Sequence, residues 1–86
     1  MRPVVWHDAA LDILADIWVQ ATPDERDRIE AAVTLLKKLL GEDAEDVGES
    51  RSGRHRVAFQ GPLVVTFESD ELEVRVLHVR WNRKRR

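Results

Sequence analysis

Eighty-six residues, 43% hydrophobic and 35% charged, describe one small soluble domain rather than a disordered chain. A core of this size supplies roughly a few kcal/mol of net stability, so a bound partner would matter to it. With no cysteine there is no disulfide framework, thiolate nucleophile or zinc–cysteine site. No apolar run approaches the ~20 residues of a membrane span, and MRPVVWHDAA lacks a basic-then-apolar signal pattern, so the expected location is the cytoplasm. The net charge of −2 hides a division along the chain. Residues 1–50 hold 5 Lys/Arg against 12 Asp/Glu, net −7, and residues 51–86 hold 9 against 4, net +5.

In chain order, PVVW (3–6) is short and β-rich. Asp8 is a candidate N-cap for a helix to about Gln20 with Ala10, Ile13, Leu14, Ile17 and Ala21 on one face. Thr22, Pro23 and Glu25 form a capping-box signal for a second helix. Its apolar positions are Ile29, Ala32, Val33, Leu36, Leu39 and Leu40, with Lys37 and Lys38 near the end and Gly41 as a left-handed stop. Only Ala21 and Thr22 separate the two helices, which predicts an antiparallel hairpin. Residues 42–53 are polar and predict a loop.

Period two then takes over. Alternation predicts a strand with His55, Val57 and Phe59 on an inner face and Arg54, Arg56 and Ala58 on an outer one. Turns at Gly61-Pro62 and Ser69-Asp70-Glu71 join it to LVVTFE and EVRVLHVRW in an antiparallel meander. The expected architecture is α+β, in the order β-α-α-β-β-β, as a single domain over 1–86 with a basic tail at 82–86.

The charged residues suggest the chemistry. Arg51, Arg54 and Arg56 stand two or three positions apart at the entrance to the meander, and five of the seven residues in RWNRKRR (80–86) are basic, as on a surface that meets phosphate. Arg80, Trp81 and Arg83 join the three arginines as candidate nucleic-acid contacts; Trp81 would stack on a base or cover the sheet end. Protection of a strand edge is the other reading of Arg54 and Arg56. His7, His55 and His78 have no metal-ligand spacing, Glu42, Asp43, Glu45 and Asp46 do not make a calcium loop, and no glycine-rich phosphate loop is present. No metal and no small-molecule cofactor are expected.

GESRSGRHRVAF, PLVVTF, VRVLHV with its basic tail, and ATPDERDRIEAAVTLLKKL resemble the RelE/ParE superfamily of toxins from bacterial type II toxin–antitoxin modules over nearly the whole chain. The resemblance implies two helices packed on one face of a twisted sheet whose other face is open. It also implies a cognate antitoxin that covers apolar residues beside the helices and sets acidic groups against a basic groove. In the ribosome-dependent RNases of that superfamily an arginine-lined sheet holds mRNA while a general base takes the 2′-hydroxyl proton. By that resemblance Arg54, Arg56 and His78 are candidate catalytic residues, since guanidinium groups stabilise a phosphorane and imidazole titrates in the useful range. A hydrogen-bonded structural role is the alternative for His78.

Those RNases commonly carry a tyrosine near the C-terminus, and this chain has none. The density of arginine favours ribosome and mRNA as target; a DNA gyrase poison of the ParE type, or a non-toxic nucleic-acid-binding module, are the alternatives.

Overall fold

A computed structural model describes residues 2–47, 49–50 and 54–82. Its elements are β1 (Val4–Trp6), α1 (Asp8–Gln20), α2 (Pro23–Val47), β2 (Glu49–Ser50), β3 (Arg56–Gln60), β4 (Leu63–Ser69) and β5 (Val74–Trp81). The strands form one sheet in the order β1-β5-β4-β3-β2. The expected meander β3-β4-β5 is present and antiparallel. The sheet as a whole is mixed, because β1 lies parallel to β5 with Val4, Val5 and Trp6 beside Val74, Arg75 and Val76. The intervening helices make that parallel return possible.

The helix hairpin follows its local signals. The Thr22 amide donates to Glu25 Oε1 at 2.9 Å and the Glu25 amide to Thr22 Oγ1 at 3.2 Å, a reciprocal capping box. Arg26 reaches back from α2 to the end of α1, donating from Nε to the Trp18 carbonyl at 2.9 Å and from Nη2 to that of Val19 at 3.2 Å. Its guanidinium lies 5.4 Å from the centre of the Trp18 ring. Those bonds satisfy carbonyls that a helix end leaves open. The N-cap of α1 is His7, without a side-chain bond, and Asp8 opens the first turn, where a carboxylate suits the helix dipole.

Gly41 does not stop α2. The helix runs to Val47, so the expected loop at 42–53 begins later and includes β2, which pairs with β3. The reason is packing: Ile29, Ala32, Leu36, Leu40 and Ala44 make one buried stripe three and four residues apart, and Ala44 is 0% exposed. Burial of Ala44 and Leu40 outweighs the roughly 1 kcal/mol that an interior glycine costs.

The core lies between the helices and one sheet face. Ala58, Leu63, Val65, Phe67, Val74, Val76 and Val79 meet the α2 stripe and Ala10 there, with Trp6, Ile13, Leu14, Ile17, Trp18 and Trp81 packed around them. Gly61 turns β3 into β4 with φ of 57°, a left-handed conformation that side chains disfavour. None of the described helices is long and apolar enough to cross a membrane.

Candidate functional site

The sheet face away from the helices is the candidate site, and its residues follow from register. Phe59, Val64 and Arg80 are cross-strand neighbours in one row, and Val57, Thr66 and His78 form the next. Glu68, Arg75 and Val5 make the third. Val64 is only 3% exposed although it lies outside the core cluster, because Phe59 and Arg80 flank it; Phe59 itself is 51% exposed.

This reverses the faces expected for β3. Ala58 is 3% exposed and faces the helices, so Arg56, two residues before it, shares that side, and Val57 and Phe59 face out. The larger side chains read as interior, but the register sets Ala58 beside the buried Val65 on the helix side, so Phe59, beside Val64, takes the other. Arg56 Nη2 donates to the main-chain carbonyl of Glu45 on α2. Arg56 is therefore not part of the open face. Arg54 is exposed in the turn before β3, and His55, expected at the core edge, is exposed with Nε2 3.8 Å from Glu68 Oε1.

A β-bulge decides the placement of His78. Thr66 pairs with His78 and Phe67 with Val76, so Leu77 is an extra residue on β5. Simple alternation groups His78 and Arg80 with Val74 and Val76; the extra residue shifts them apart. Val74 and Val76 point into the core while His78 and Arg80 are exposed on the open face. Trp81 packs on the helix side and lines a cleft with Ile17, Gln20, Ala21 and Glu25, so it covers the sheet end. Arg51 and Arg83 lie outside the described residues, as does the rest of the tail.

Two charge networks that sequence reasoning missed flank the face. Arg75 donates to Glu68, Asp70 and Glu73 at 3.0, 3.0 and 3.1 Å. The bonds to Glu73, Asp70 and Glu68 hold its guanidinium charged beyond its ordinary strength. Asp70 Oδ1 also accepts the Leu72 and Glu73 amides, and these with Arg75 hold its pKa down at about 2. Behind the sheet end, Arg2 donates twice to the Glu45 carboxylate, at 2.8 and 3.0 Å, and once to the Asp70 carbonyl at 2.7 Å. The Arg2 bonds, a backbone N–H and the Ser69 hydroxyl hold Glu45 at about 2. Opposite charges in register, Glu68 beside Arg75, were the signal available for the first network.

On the other side of the molecule an apolar groove of about 510 Å³ runs between α1 and α2, lined by Leu11, Leu14, Trp18, Ile29 and Val33 with Glu30 at its margin. Leu11, Leu14 and Trp18, three and four apart, are a second apolar stripe on α1. No group of three His, Asp or Glu side chains among the described residues could hold a metal ion.

A chain of the chromosomal ParDE TA system from P. aeruginosa superposes on this one with a TM-score of 0.74. The two share a fold. The match covers 96% of this chain and 98% of the other at 19% identity, so it extends over β1, both helices and the meander together. No protein-family model and no curated protein sequence matches the chain.

Proposed function

We propose that this chain is the toxin of a type II toxin–antitoxin module, held inactive by an antitoxin and acting on its target through the uncovered sheet face. The observation that carries the proposal is the fold shared with the ParDE chain over 96% of the sequence, with one sheet face left open. The apolar groove between α1 and α2 is where an antitoxin segment would bury side chains, in the manner of an amphipathic segment in a groove. Inducible expression tests this: growth should stop, and co-expression of a short neighbouring reading frame should restore it. Continued growth at high expression would reject the toxin.

Of the two targets, DNA gyrase is the better supported. An mRNA target would draw on the arginines at the entrance to the meander, and of these Arg56 is turned towards the helices. Arrested cells should then show DNA breaks and an SOS response, and a gyrase mutation should confer resistance. One observation favours cleavage of mRNA instead: His78 is exposed in the middle of the open face, two residues from Arg80, placed to take a 2′-hydroxyl proton beside a guanidinium. In that case new transcript 5′ ends would appear on arrest and His78→Ala would abolish them.

A further inference from the structure

We infer that the open sheet face is a protein-docking surface, and that its occupant is an apolar polypeptide segment carrying a carboxylate opposite Arg80. The face carries an apolar patch, Val57 and Phe59 beside the buried Val64, with Val5 at its margin and Thr66, His78 and Arg80 next to it. A half-exposed phenylalanine with an arginine one strand beyond its neighbour Val64 is the composition of a protein-interface centre, where aromatic residues and Arg are enriched.

A phosphate backbone needs a different surface, with several free cations that displace counterions. Among the described residues Arg75 is committed to three carboxylates and Arg56 faces α2. That leaves Arg80 on the face itself and Arg54 in the turn before β3, both exposed, and Arg80 forms no side-chain hydrogen bond or ion pair with another described residue. Among the described residues of the face, one free guanidinium stands beside an apolar patch, an arrangement that suits a carboxylate with apolar neighbours better than a row of phosphates. The inference rests on the toxin proposal only in making that segment part of the target; the surface chemistry stands by itself.

The test is selection of a random-peptide display library on the purified full-length chain, with the Phe59→Ser, Arg80→Glu double variant as counter-selection. Selected peptides should combine aliphatic or aromatic residues with Asp or Glu. Phe59→Ser or Arg80→Glu alone should weaken them about tenfold or more by calorimetry while the melting temperature stays near that of the parent. Should Phe59→Ser melt early, Val57→Thr replaces it. A short single-stranded RNA is the second probe. The docking surface is overturned if no peptide distinguishes the parent from the double variant. It is also overturned if the RNA binds, loses affinity steeply between about 50 and 200 mM salt, and is indifferent to Phe59→Ser. Growth arrest without peptide binding would remove the docking surface and leave the toxin; peptide binding without arrest would do the reverse.

Discussion

Arg56 and Glu45 meet where the last turns of α2 cross β3, with the guanidinium Nη2 of Arg56 donating to the Glu45 carbonyl. The last turn of α2 has no basic residue of its own, so Arg56 supplies the cation that its dipole favours. Arg56→Ala should therefore lower stability by about 1–2 kcal/mol. Arg80→Ala, which removes an exposed side chain flanking Val64, should cost no more than about 0.5 kcal/mol. Thermal unfolding of the two variants checks this, and equal melting temperatures would place Arg56 outside the fold's support.

The Glu45 and Asp70 carboxyls give the fold an acid limit. Their pKa values are held at about 2, against ordinary values of 4.5 and 3.8. Depressed carboxylates stabilise above the unfolded value, and the contribution is lost as pH falls through the folded one. Stability should thus fall from about pH 4.5 towards pH 2. Glu45→Gln should lower the melting temperature slightly at pH 7, the carboxylate being half exposed, and the difference from the parent should vanish near pH 2. A constant difference across that range would contradict the Arg2–Glu45 assignment.

Ala44→Glu separates a packed helix from a solvated loop. In a polar loop the change would be near neutral. With Ala44 fully buried against the core, it places a carboxylate where no water reaches and should cost about 3 kcal/mol or more. Urea unfolding measures it, and a loss under about 0.5 kcal/mol would detach the end of α2 from the sheet.

Deletion of Leu77 should be far worse than Leu77→Ala. Without the bulge, the residues on one side of it must change faces, bringing His78 and Arg80 towards the helices or Val74 and Val76 out to water. The deletion variant should lack cooperative unfolding by calorimetry, and Leu77→Ala should retain it.

What could be read from the sequence was what is set locally. Thr22, Pro23 and Glu25 specify a helix start by bonds within four residues, and Gly61-Pro62 specifies a turn by backbone preference alone. The end of α2 is set by contacts distant in sequence: Gly41 reads as a stop until Ala44 is seen to be buried. The faces of β3 are set by a related cause: pairing with β4, several residues away along the chain, puts Ala58 beside the buried Val65 and sends Phe59 to the other side. At the candidate site, Arg80 was legible as an exposed cation, but the side taken by His78 depends on a bulge that alternation does not announce.

The sheet is bounded by its two shortest strands, three residues in β1 and two in β2, which cover only Val74–Val76 of β5 and Arg56–Val57 of β3. Neither border strand is long enough by itself to template a continuous ribbon with an approaching copy. Chains newly released from a partner thus meet one another along short, interrupted borders, which favours contact through the side chains of the broad exposed surface over zipping of main chains.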